Sequence, residues 1–261
     1  MRILDVKVDN VTMQETVDRI GNMVRSGDKH YVVTPNAEFL VAAQRDPEFK
    51  RILNQADLSI PDGMGVVYAS KFYGDPLRER VAGTDLVEIL CKKAAKEGWS
   101  VFFLGGLYGV GKRAAEVLRS RYPGLNVCGF YEGKREKAYD EQSLRSIKRV
   151  SKGHKIDILL VAYGHNYQEK WIARNSQRLD FTVSLGIGGA FDFISGYISR
   201  APLWVRRVGL EWLFRLIKQP WRWRRIFKAV VVFPFLVLKE SFSSLFERRP
   251  EHGEGRSEKS K

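Results

Sequence analysis

The sequence predicts an α/β fold, a mostly parallel sheet with helices on both faces, extended by a basic and aromatic C-terminal appendage. Five apolar runs each end in Gly, Pro or Asn, and each is followed by apolar residues at helical spacing. Buried parallel strands feeding crossover helices read this way. The appendage is predicted by a separate observation. Between Arg200 and Lys228, nine Lys/Arg residues face a single acid, Glu211, and four of the six tryptophans, Trp204, Trp212, Trp221 and Trp223, are interleaved with them.

Taken in order, Thr12, Met13, Gln14 and Glu15 have capping-box spacing, and Val17, Ile20 and Val24 follow at helical intervals, so a first helix is expected over residues 13–25. Residues 31–33 form a short apolar run ending in Thr34, Pro35 and Asn36, and the helix beyond carries Phe39, Leu40 and Ala43 on one face. The run 58–60 ends in Pro61, Asp62 and Gly63, and 101–104 leads into Gly105 and Gly106. Residues 157–163 lead into Gly164, His165 and Asn166, while 181–185 end in the glycine-rich turn 186–189. This alternation is Rossmann-like. Ligands of such sheets bind beyond the carboxyl ends of the strands, so the site is expected in these turns.

At 261 residues the chain is long enough for one substantial core and an appendage. We divide it into a catalytic domain, 1–196, an appendage, 197–246, and a polar tail, 247–261, which has no apolar residue to bury and is expected to be disordered. Residues 197–261 carry 15 Lys/Arg against 6 Asp/Glu, so much of the net charge of +14 lies there, as in a targeting device. Cys91 and Cys128 lack metal spacing, which argues against a disulfide framework or a zinc site and fits a reducing cytosol. The N-terminus has Asp5 where a secretion signal needs an apolar stretch. No run reaches the roughly 20 apolar residues of a membrane span.

Arginines that pair with lipid phosphates and indoles that sit at headgroup depth make an interfacial adhesive. The expected location is therefore peripheral, on the cytoplasmic face of an anionic membrane. Nucleic acid is the competing partner for such a stretch. The ten apolar residues 229–238 weigh against it, since a nucleic-acid clamp has no use for them. Two other readings of that run stay open: an ordinary core element beneath a solvated basic face, or a surface hidden in a homo-oligomer.

Several residues offer chemistry. The segment 106–112 has P-loop spacing, but Arg113 stands where the magnesium-binding Ser/Thr belongs, which argues against a nucleotide triphosphatase. Its glycines either cradle a diphosphate through backbone N–H groups or simply permit tight strand-to-helix packing. Asp62 at a strand end is a candidate general base, or only a turn former. Thr34 and Asn36 offer neutral hydrogen bonds, with an N-cap as the plainer role for Asn36. His165 sits in a loop, as either a group able to titrate near neutrality or only a loop donor, Gln168 and Glu169 open a helix, and Asp192 lies between Phe191 and Phe193.

The order of these blocks carries more than any one of them. Thr34 to Glu38, Asp62 to Gly65, Arg80 to Asp85, Phe103 to Gly106, Gln168 to Trp171 and Gly188 to Gly196 are followed by Arg200 to Trp204 and Gly209 to Arg215. The series resembles the WecB/TagA/CpsF family of glycosyltransferases, glycosyltransferase family 26, over about residues 1–228. One departure is that His165, Asn166 and Tyr167 stand where that family reads x-Pro-Lys before its Gln-Glu pair.

The resemblance implies an inverting, metal-independent transfer without a cofactor. The sugar, N-acetylmannosamine or a related hexose, passes from a UDP-sugar to undecaprenyl-diphosphate-linked N-acetylglucosamine, in synthesis of teichoic acid or another surface polysaccharide. It implies Asp62 as base, with Thr34, Asn36 and Gln168 orienting the substrates. Arg80, Thr84 and Gly189 fall in its substrate-binding blocks. Gly105, Gly106, Arg206, Arg215 and Arg222 are expected to balance the diphosphate, and Tyr131 and Asp192 to hold the nucleoside. A nicotinamide-dependent oxidoreductase is the alternative enzyme class, but the expected Gly-x-Gly-x-x-Gly turn after the first strand is missing.

Overall fold

The structure, a computed structural model, describes residues 1–247; the polar tail expected beyond Glu247 lies outside the described residues. The chain opens with a small antiparallel hairpin, β1 (Arg2–Ile3) and β2 (Val6–Lys7), which the apolar pattern did not announce because each strand is two residues long. Helix α1 (Met13–Ser26) starts as expected. Thr12 accepts from the Glu15 N–H while the Glu15 carboxylate accepts from the Thr12 N–H, and Gly27 ends the helix at φ +78°.

Six strands form one parallel sheet. They are β3 (His30–Val33), β4 (Leu58–Ser59), β5 (Ser100–Gly105), β6 (Asn126–Tyr131), β7 (Ile156–Ala162) and β8 (Phe181–Gly186), in the order β4-β3-β8-β7-β5-β6. Five are the expected runs. The sixth, β6, lies at the edge, where Asn126 and Phe130 are exposed and no continuous apolar run marks it. Register places Val32 beside Leu185, Leu185 beside Leu160 and Leu160 beside Phe103. That row faces helices α1, α5 (Gly83–Glu97), α6 (Val110–Arg121) and α9 (Ala190–Ile194). On the opposite face, Val33, Phe102, Leu159 and Val161 meet α2 (Ala37–Ala43), α3 (Pro47–Asn54), α7 (Asp140–Val150) and α8 (Tyr167–Asn175).

Along the sheet from β3 to β5, the helices leaving successive strands therefore alternate between faces: α2, α9, α8, α6. Their connecting turns diverge and open a crevice along the carboxyl edge.

After α9 the chain runs through α10 (Leu203–Arg207), α11 (Glu211–Lys218), α12 (Trp223–Phe227), a π-helical turn (Lys228–Val232) and α13 (Phe233–Glu247). The wide turn falls where Pro234 removes the N–H that would bond to Val230. The apolar run 229–238 divides between two environments. Phe233 and Val237 are buried among Ala37, Leu40 and Val66, whereas Val231, Phe235 and Leu238 are exposed. Glu240 fastens α13 further, accepting from the Leu4 N–H at 3.1 Å and from the Tyr73 hydroxyl. One face of the run is thus ordinary core and the other is not. No described helix is long and apolar enough to cross a membrane.

Candidate active site

Asp62 stands just past the end of β4. Its backbone N–H donates to Pro35 O at 3.0 Å, and Gly63, at φ +133°, turns the chain into α4 (Met64–Phe72). Burial pushes the Asp62 carboxyl above its ordinary value, Arg80 opposes that rise and Glu211 adds to it. Arg80 Nη2 lies 3.9 Å from Asp62 Oδ1 and donates to Glu211 Oε2 at 2.9 Å. The C-terminal segment therefore reaches back to the base candidate through Glu211, the one acid of residues 200–228. Glu211 is itself pushed up by burial, but Arg80, Arg215 and Arg200 hold it below the usual carboxylate value.

A second cluster adjoins the first. Arg200 makes a bidentate pair with Asp85, one arm at 2.8 Å, and Arg206 lies 3.7 Å from the same carboxylate while donating to Ala201 O. With Met64, Arg80 and Leu203 these residues line a hollow of about 300 Å³. Thr84 is half-buried in the first turn of α5 beside Asp85. A larger, open hollow of about 440 Å³ runs along α7 and contains none of the strand-end residues.

The third cluster lies over the turn after β8. Burial raises the Asp192 carboxyl, and Arg222 and Arg215 oppose it. Arg215 stacks on Phe193 at 4.6 Å. Burial, with Arg225 and Arg215 nearby, lowers Arg222 below the usual guanidinium value. Such a crowd of cations favours a polyanionic ligand. Arg225 pairs with Glu38 at 2.7 Å and reaches His165 Nδ1 at 3.4 Å.

Other expected residues occupy supporting positions. Asn36 caps α2, accepting from the Glu38 and Phe39 N–H groups. Thr34 is 4% exposed and donates to Gly186 O at 3.2 Å, and Gln168 is 1% exposed. Both are buried and bonded to the turn after β8, Thr34 to the Gly186 carbonyl and Gln168 to the Gly188 N–H. Gly105 and Gly106 have positive φ, and a Cβ on Gly106 would lie 2.5 Å from Gly111 N. Tight strand-to-helix packing thus suffices to require glycine there. Lys112 is turned outward over Phe130. Gly189 and Asp192 share the β8 turn, but Tyr131 ends β6, at the opposite edge from β4 and five strand spacings, about 24 Å, away. The structure does not bring Tyr131 to Asp62.

Sequence reasoning named Glu38 and Asp85 only as members of family-like blocks and Glu211 only as the lone acid of residues 200–228, and missed them as partners of Arg225, Arg200 and Arg80.

A carboxylate with a raised pKa, cations for an anionic ligand and a crevice at strand ends define a Rossmann-like α/β group-transfer enzyme. The chain belongs to the Glycosyl transferase WecG/TagA/CpsF family, whose model matches residues 1–246, and it is a glycosyltransferase. Among its relatives, the N-acetylglucosaminyldiphosphoundecaprenol N-acetyl-beta-D-mannosaminyltransferase of Bacillus subtilis (strain 168) is 33% identical over 82% of this chain and 84% of its own length. The protein of the same name from Bacillus spizizenii is 35% identical over 75% and 74%. That of Staphylococcus aureus (strain MW2) is 30% identical over 91% of each. The oxidoreductase alternative falls with this membership.

Proposed function

We propose that the chain moves N-acetylmannosamine, or a closely related hexose, from a UDP-sugar to an undecaprenyl-diphosphate-linked N-acetylglucosamine, with inversion and without a metal, in the synthesis of a surface polymer. The names of the relatives support the acceptor and the sugar. The observation that carries the mechanism is the Asp62, Arg80 and Glu211 group. A carboxyl lifted by burial is better matched to removing a hydroxyl proton near neutrality than an ordinary aspartate.

In this reading Asp62 accepts the proton of the acceptor hydroxyl as its oxygen bonds to the anomeric carbon. The bond from that carbon to the UDP oxygen breaks, and its electron pair leaves on the diphosphate. Arg215 and Arg222 balance the growing charge, with Arg206 and the dipoles of turns 105–106 and 188–189 nearby. Asp192 is the ribose ligand. Tyr131 serves only an extended donor lying across the carboxyl edge.

We retain segment 197–246 as the membrane-associating element, working on the cytoplasmic face where the lipid acceptor resides. Of 22 exposed large apolar side chains among the described residues, 15 lie between Tyr197 and Phe242, which supports that role.

The test is UDP release from UDP-N-acetylmannosamine with a short-chain lipid-diphosphate N-acetylglucosamine acceptor. Acceptor-dependent release is expected, with kcat falling about a hundredfold or more in Asp62→Asn. Equal turnover in the variant would remove Asp62 as base. Release with another UDP-hexose alone would replace the sugar.

A further inference from the structure

The acid beside Gln168 is used by none of the chemistry above, yet it is the most completely enclosed carboxyl of the carboxyl edge. Glu169 is 0% exposed in the first turn of α8. Its Oε1 accepts from Gln168 Nε2 at 2.7 Å, and no partner reaches its Oε2. No ion pair among the described residues reaches it either; the neighbouring Lys170 turns outward to Asp46 and Glu48. A titratable group on the same face of the sheet is the Tyr31 hydroxyl of β3, also buried and unpartnered, whose pKa the Glu169 charge helps to raise.

Gln168 in turn accepts the Gly188 N–H at 3.0 Å. An amide has one oxygen and one nitrogen end, so a partner that accepts at one end fixes what the other end can do. Gly186 leaves room for the pair and nothing more: a Cβ there would sit 2.5 Å from Glu169 Oε1 and 2.6 Å from Gln168 Nε2. Thr34 holds the Gly186 carbonyl from the other side. The turn so fixed continues into α9, which carries Asp192.

We propose that Glu169 is a positioning residue, held as a neutral acid, that locks the Gln168 amide with its oxygen on Gly188 and thereby sets the glycine turn leading to Asp192. A carboxylate without a cation in this enclosure is poorly solvated, so the proton stays on Oε2. Burial pushes the carboxyl up to about 8, against the Gln168 hydrogen bond and the backbone N–H groups of Glu169 and Asn166, which favour the charged form. Ionisation above that value puts an unpaired charge behind the turn and loosens it.

The direct test needs no turnover. In protein isotope-labelled at glutamate side-chain carboxyls, one carboxyl resonance is expected to titrate near pH 8. Its absence would overturn the proposal. In Glu169→Gln that resonance is expected to vanish.

The kinetic arm rests on the proposed transferase reading. Wild type should lose kcat/KM above about pH 8, and Glu169→Gln should stay within about threefold of wild type at pH 7 and lose that decline. Glu169→Ala should fall about tenfold or more, mainly in kcat. Equal losses in both variants with an unchanged pH profile would reduce Glu169 to a packing role. If wild type turns over no donor, the transferase reading fails and the resonance still decides Glu169.

Discussion

A carboxyl serving as a base must be deprotonated before it can take a proton, so the charges around Asp62 set the acid limb of activity. Burial raises its pKa and Arg80 pulls it down. Arg80→Ala removes the strongest opposing charge and leaves burial and Glu211 raising the value against Arg215 and the Gly83 N–H. The acid limb of kcat/KM is expected to move to higher pH, with a loss of about tenfold or more in the plateau. Glu211→Gln acts oppositely on Asp62, since a raising charge disappears and Arg80 is released toward it; a downward shift of the acid limb checks this. Glu169 makes a stability prediction of its own. Its folded-state value of about 8 lies above that of an unfolded glutamate. Between the two the folded chain holds a proton that the unfolded chain has lost, so stability falls as pH rises through this window, by up to about 1.4 kcal/mol per pH unit. Urea midpoints of wild type should decline from about pH 5 to about pH 8 relative to those of Glu169→Gln.

Helix α13 shows at the scale of an element why a pattern is read only in part. Phe233, Val237 and Glu240 follow one another at i, i+4 and i+7 and share the face that meets α2, α4 and the N-terminal hairpin. The unbroken apolar run around them hides that periodicity, so the sequence alone leaves core and surface unresolved. Phe233→Ala should cost about 3–5 kcal/mol by urea unfolding, as loss of a fully enclosed ring does, whereas Phe235→Ala, 65% exposed, should change stability by about 0.5 kcal/mol or less. Truncation after Ser195 would uncover Ala37, Leu40 and Val66, so that fragment is expected to lose stability as well as activity. Other elements were plain in advance. The capping box at Thr12 and the glycine ends of β5, β7 and β8 are local signals, and local signals survive in a linear reading. Edge strand β6 lacks a buried run, and the Arg80–Glu211 and Arg200–Asp85 pairs join residues 131 and 115 positions apart. No spacing rule reaches such pairs, because the sheet order β4-β3-β8-β7-β5-β6 decides them.

At the scale of the whole molecule, the same segment that reaches Asp62 through Arg80 and Glu211 also carries 15 of the 22 exposed large apolar side chains among the described residues. Trp204, Trp221 and Trp223 are 67%, 72% and 56% exposed, and Arg224 lies over the Trp223 ring at 5.4 Å. Large rings left in water beside guanidinium groups are poor for solubility in isolation and well suited to a headgroup layer, where ring and charge are both satisfied. If an anionic lipid surface is the occupant, binding has two separable parts. The electrostatic part weakens as salt rises from about 0.1 M to about 1 M, because the Debye length shrinks from about 10 Å to about 3 Å; the apolar part persists. The full chain should co-sediment with vesicles containing anionic phospholipid far more than with purely zwitterionic ones. Arg224→Glu should lower binding at low salt and flatten its loss with rising salt, and Trp221→Ser should lower binding at every salt concentration. Both side chains are exposed, so folding should be untouched, as circular dichroism would verify. Binding indifferent to lipid charge would remove the arginines from the contact. Concentration-dependent self-association without vesicle binding would assign the same face to a second copy of the chain.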